Sequence, residues 1–135
     1  MKNSKIVKVI LIVSGVIAAA IGAAILFTPI SFYASYGITL GNNVSLLNEI
    51  RAPGGALFAM GILIVSGAFV KKITYTAMVI SALLFLSYSL SRVIAIAFDG
   101  VPVNGLVQAT MLESLIGLAC AYALLKYRTP DKVVV

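Results

Sequence analysis

The chain has no histidine, a single cysteine (Cys120) and only four acidic residues among 135. Haem iron and catalytic zinc are held by histidine or by several cysteines, so no metal site and no cofactor are expected. A thiol–disulfide relay needs two cysteines. General acid–base catalysis lacks its commonest base, which leaves an enzyme as the least supported reading. Cys120 falls within an apolar run, where a buried thiol acts as a small apolar filler at a helix contact.

Charge is scarce as well. Only 10% of residues are charged, 61% are hydrophobic, and the mean hydropathy is +1.12. A soluble domain of this length has no interior large enough for so much apolar surface, so lipid must be the solvent. A spanning helix needs about 20 apolar residues. Four stretches qualify, near 6–28, 46–70, 74–98 and 105–126, and residues 1–135 read as a single membrane domain. The run from Val9 to Phe27 is longer than a signal-peptide core and has no small-x-small site after it, so it reads as an uncleaved first helix.

The net charge of +6 is explained by its distribution. Lys2, Lys5 and Lys8 precede the first span, Lys71 and Lys72 lie between the second and third, and Lys126, Arg128 and Lys132 follow the fourth. Four crossings put all of them on one side. That bias orients both termini to the cytoplasm and the loops around 29–45 and 99–104 outside. Nucleic acid is not needed as a partner; membrane lipids are.

The first span carries Gly15, Ala19 and Ala23 at four-residue spacing, with Gly22 beside them. Such a smooth face lets another helix approach closely, inside the bundle or across a homo-oligomer interface; three covalent neighbours favour the bundle. Pro29 ends the span. Residues 30–36, with Phe32, Tyr33 and Tyr36, suit a short helix at the outer interface, stopped by Gly37. Thr74 and Asn104 are expected to cap the third and fourth spans. The segment from Arg128 onward is expected to fray. Short connections give an all-α, up-down-up-down four-helix transmembrane bundle.

Two arginines and three acids remain, namely Arg51, Arg92, Glu49, Asp99 and Glu113; the fourth acid, Asp131, belongs to the tail. At about 1.5 Å per residue, Arg51, Arg92 and Glu113 lie roughly 9–12 Å below the outer ends of their helices. Their neighbours at helical spacing are polar or small: Asn48 and Gly55 for Arg51, Tyr88 and Ser89 for Arg92, Thr110 and Gly117 for Glu113. A lone charge in hydrocarbon costs roughly 2.5–3.5 kcal/mol, and an arginine fork can bridge carboxylates. The expected arrangement has Glu113 held by both Arg51 and Arg92, with Glu49 and Asp99 nearer the mouth. Pro53 should kink its helix, and Gly54 and Gly55 should admit a close neighbour or a ligand. The cluster is either a polar pocket open to the outside or a clasp that fixes helix register.

The stretches "NEIRAPGGALFAMG", "SRVIAIAFDG" and "MLESLIGLACAYALL" together resemble the small bacterial membrane proteins of the domain of unknown function 4345 family. The corresponding positions are Arg51, Gly54, Gly55, Arg92, Asp99, Gly100 and Glu113. The resemblance implies four spans and a bacterial cytoplasmic (inner) membrane, and it brings no activity. A looser likeness in plan joins the chain to DoxX-like four-helix membrane proteins, some of which accompany quinone-linked respiration. Fold alone does not give function. Three readings follow. A small amphiphilic ligand, such as a lipid headgroup or quinone, occupies the pocket; or the protein is an accessory subunit docked on a membrane partner; or it is a small proton-coupled transporter using Glu113.

Overall fold

The computed structural model describes residues 1–2 and 4–128. The tail from Thr129 to Val135, with Asp131 and Lys132, lies outside the described residues. Four long helices are present: α1 (Lys5–Phe27), α3 (Val44–Gly67), α4 (Thr74–Asp99) and α5 (Asn104–Tyr127). Each is long and apolar enough to cross a membrane. Their limits fall within three residues of the spans expected from hydropathy. The short helix α2 (Pro29–Ala34) follows α1, and a 3-10 turn, Lys71–Ile73, joins α3 to α4.

Local chemistry sets most of the ends. Ser4 caps α1 by accepting from the Ile6 amide, and Asn43 caps α3 by accepting from the Leu46 amide. Pro29 takes the first position of α2, where its missing N–H costs nothing. Gly37 and Gly41, both at positive φ, turn the chain back towards α3. Two expected caps are different. Thr74 opens α4, and its hydroxyl donates to the Gly67 carbonyl at 2.7 Å, tying off the end of α3 rather than capping α4. Asn104 is the first residue of α5, not its cap; Val103 precedes it with no side-chain bond. Since α3 starts at Val44, Pro53 lies inside it. The Glu49 carbonyl loses its helix partner, yet α3 continues unbroken to Gly67.

The helices form two close antiparallel pairs. In α1/α3, Gly15 lies against Gly61 and Val65, Ala19 against Gly61, and Gly22 against Gly54 and Phe58. A Cβ on Gly22 would stand 2.8 Å from the Gly54 carbonyl oxygen, so only glycine permits this backbone approach. Gly54 is equally constrained, since a Cβ there would meet Ile25 Cβ at 2.9 Å, whereas Gly55 would touch only Leu26 methyls. The small-residue face of α1 therefore packs within its own chain. Ala23 sits at its edge, half-buried in a shallow apolar groove with Phe58 and Ile62. In α4/α5, Gly117 lets the helices close: a Cβ there would lie 3.0 Å from the Leu86 amide.

The pairs join at the end that carries the lysines. Val7, Leu11, Ile64, Ala77, Met78, Cys120 and Ala123 form the core there. Inside it, Ser81 Oγ donates to Ser14 Oγ at 2.9 Å and lies 3.2 Å from Cys120 Sγ, so α1, α4 and α5 share one small polar knot. Cys120 is fully buried. The Lys8 ammonium stands 4.9 Å from the centre of the Phe69 ring, and the Lys2 amide donates to the Tyr127 carbonyl at 2.9 Å. Both contacts show that the first helix begins where the second and fourth long helices end. Leu83, Leu90, Leu115, Leu118 and Leu125 are exposed on the outside. An outward apolar belt around a small-residue interior is what a lipid solvent selects.

Candidate functional site

Away from the lysines, at the distal end, the two pairs enclose a cavity of about 230 Å³. Each helix presents one face to it. In α3 the residues are Ile50, Pro53, Gly54 and Leu57; in α4 they are Leu84, Phe85, Tyr88 and Arg92; in α5 they include Leu106, Ala109 and Glu113. Each set recurs at three- and four-residue steps, which places it on a single helix face. Ala18, Leu57 and Phe85 are buried together and close the cavity on the side of the core. Tyr33, Tyr36 and Ile38 line it from the α2 segment. The Tyr36 ring rests on Gly105, where a Cβ would be 2.9 Å away. Phe32 braces Tyr33 and Tyr36 edge-on, with ring centres at 5.4 and 5.5 Å. The segment after α1 thus reaches from its own helix to the start of α5.

One wall of this largely apolar cavity is charged. Arg92 Nε donates to Glu113 Oε2 at 2.7 Å, and Nη2 donates to Oε1 at 3.2 Å. The Glu113 side chain is 12% exposed and that of Arg92 31%. It is the only ion pair among the described residues. Two parallel bonds fix both side chains and cancel their charges inside the low-dielectric interior. The Tyr88 ring flanks the guanidinium, 6.0 Å from Cζ. Neither Arg92 Nη1 nor the Tyr88 hydroxyl has a protein hydrogen-bond partner among the described residues. A ladder of hydroxyls continues the α4/α5 seam: Ser89 meets Ser114, Ser114 donates to the Thr110 carbonyl at 2.8 Å, and Thr110 donates to the Leu106 carbonyl at 2.9 Å.

Arg51 is not part of this pair. Its Nη1 donates to the Leu26 carbonyl in the last turn of α1. Pro29 prevents α1 from continuing, and a cation suits the carbonyl-rich end that is left. The depth estimate placed Arg51 level with Glu113, but residue 51 is one position away from the cavity face of α3. At 100° per residue it points towards α1. Asn48 and Glu49 are exposed and make no side-chain hydrogen bond among the described residues. Asp99 is exposed too. It lines a second, smaller cavity of about 200 Å³ with Gly100 and Pro102, and Arg92 forms part of the wall of both.

Sequence reasoning missed the Ser14–Ser81–Cys120 knot and the way Tyr36 meets Gly105. Ser14 and Ser81 are single hydroxyls in apolar runs, with no spacing that links one helix to another. Tyr33 and Tyr36 were legible as interface aromatics that could also cover a pocket, and both line the cavity.

Four membrane-length helices packed as a bundle define a multi-pass integral membrane protein. The sequence profile of the family described as "Domain of unknown function (DUF4345)" matches residues 6–124, nearly the whole chain, and the chain belongs to that family. No curated protein and no solved structure matches it. Nothing in these comparisons bears on the looser likeness to DoxX-like proteins.

Proposed function

We propose that the protein binds a small amphiphile in the distal cavity, with the polar end at Arg92 and Tyr88 and the apolar body among Ile17, Ile21, Leu57 and Phe85. The observation that carries this reading is the bidentate Arg92–Glu113 pair set in the wall of an otherwise apolar cavity. Apolar walls with a few convergent polar groups are the usual make-up of a ligand site, and ionisable groups within a membrane mark function by default. Because Glu113 neutralises Arg92, the site favours a head that accepts hydrogen bonds over a bare anion. A carbonyl or ester oxygen, as in a lipid headgroup or a quinone-like ring, meets that need. A cavity of this size takes a head and the first segment of a chain rather than a whole lipid.

The lysine-bearing end belongs in the cytoplasm by the positive-inside rule, which puts the cavity in the outer half of the bilayer. The family resemblance points to a bacterial inner membrane. Native mass spectrometry of the purified protein tests the ligand reading. Parent protein is expected to carry a bound species, and Arg92→Ala and the cavity-filling Ala109→Phe are each expected to lose it. Equal occupancy in the parent and both variants sinks the proposal.

A further inference from the structure

At the opposite end of the molecule a second, chemically different cleft lies between the start of α1 and the α3–α4 turn. Its volume is about 150 Å³, and Ser4, Lys8, Lys71 and Thr74 supply its polar wall. Phe69 lines it as well, and its ring stands beneath the Lys8 ammonium at 4.9 Å. We propose that this cleft binds the phosphate of an anionic phospholipid.

Charge is the first argument. Lys2, Lys5, Lys8, Lys71, Lys72, Lys126 and Arg128 gather at this end, and no acid accompanies them among the described residues. Glu49 and Asp99 are at the distal end, and Glu113 is committed to Arg92. Among the described residues no carboxylate stands with Lys8 and Lys71, and an anion from outside the chain would complement them. Hydrogen bonding is the second argument. Ser4 Oγ accepts from the Ile6 amide, and its hydroxyl proton has no acceptor among the described residues and can donate into the cleft. Thr74 donates its proton to the Gly67 carbonyl and so holds the turn that carries Lys71.

Position separates a lipid phosphate from a soluble one. Lys8 is one turn into α1 and Lys71 is in the turn that ends α3, so both stand at headgroup level. Phe69, which lines the cleft, and Val70 next to it in the chain are exposed apolar side chains, placed to meet the glycerol and acyl chains of the same molecule. Basic pockets between spanning helices at this level are the usual seats of anionic headgroups.

The test uses full-length protein in neutral detergent, titrated with dioleoylphosphatidylglycerol, dioleoylphosphatidylcholine or inorganic phosphate. Binding of phosphatidylglycerol is expected to weaken roughly 30-fold in Lys8→Gln/Lys71→Gln, from about fivefold per lysine near a charged surface. It should persist in Lys8→Arg/Lys71→Arg, which keeps the charge, and in Lys72→Gln, which removes a charge outside the cleft. Equal weakening by Lys72→Gln and by the double glutamine variant would mean diffuse attraction to a basic end and would overturn the site. Equal affinity for phosphatidylcholine would overturn it too. Displacement by inorganic phosphate at the lipid's own concentration would make it a free-phosphate site and overturn the lipid assignment.

Discussion

Arg92 and Glu113 lie 21 residues apart in sequence and meet through two parallel hydrogen bonds, at 2.7 and 3.2 Å, that join α4 to α5 beside the distal cavity. Arg51, at a similar depth on α3, reaches the Leu26 carbonyl instead. The two intramembrane arginines therefore do separate jobs, and substitution separates them.

Arg92→Ala leaves the Glu113 carboxyl without its partner. Loss of one member of a buried pair costs about 3–5 kcal/mol. The paired replacement Arg92→Leu/Glu113→Leu removes both charges and should recover most of that loss while still abolishing ligand retention. Reversible unfolding in mixed micelles measures the first quantity and native mass spectrometry the second. A double variant as unstable as the single one would show that the pair itself, rather than an orphaned carboxylate, supports the fold.

Arg51→Ala should weaken the α1/α3 pair by about 1.5–3 kcal/mol, the range for a hydrogen bond to a charged group. Cavity occupancy should stay at the parent level, since Arg51 does not line the cavity. Unfolding and ligand retention measured on one preparation provide the contrast with Arg92.

Adjacent glycines should respond in opposite ways. Gly54→Ala places a methyl 2.9 Å from Ile25 Cβ and 3.0 Å from the Leu26 amide, and overpacking of this kind costs about 1–3 kcal/mol. Gly55→Ala meets only Leu26 methyl carbons, the nearer at 3.7 Å. It should be neutral or stabilising by up to about 1 kcal/mol through helix propensity. Thermal unfolding of the two variants side by side checks the difference in sign.

Cys120 should resist a membrane-permeant maleimide in the folded protein and react only after denaturation, because it is fully enclosed with Ser14 and Ser81. Rapid labelling under native conditions would show that the core at the lysine-bearing end opens.

The proposed orientation can be read by labelling single cysteines placed in the loops of a Cys120→Ala background. Gly41→Cys should react with an impermeant reagent from the outside of intact cells, and Lys72→Cys only after the membrane is opened. The reverse pattern would invert the assignment of the lysine-bearing end to the cytoplasm.

The four spans were legible because membrane insertion imposes a length and a composition that a one-dimensional pattern records. The short helix after Pro29, the small-residue face of α1 and the depth of Arg92 and Glu113 were legible for the same kind of reason: each is a periodicity or a distance along one helix. The Thr74 and Asn104 caps were misplaced by a single position, and the hydroxyl of Thr74 turned out to donate rather than accept. Spacing alone puts Glu49 and Asn48 with the cluster, yet both are exposed.

By itself the sequence determined the solvent, the number of crossings and how far along each helix a charge sits, since these depend only on hydrophobicity and the rise per residue. The partner of each charge was decided in three dimensions. Arg51 and Ile50 differ by one residue and therefore by about 100° around α3; one turns to the end of α1 and the other to the cavity. Which helices approach closely enough to receive them depends on where glycine removes a side chain from both surfaces at once. That is a property of Gly22 with Gly54, and of Gly15 with Gly61, as packed pairs, and no single helix carries it.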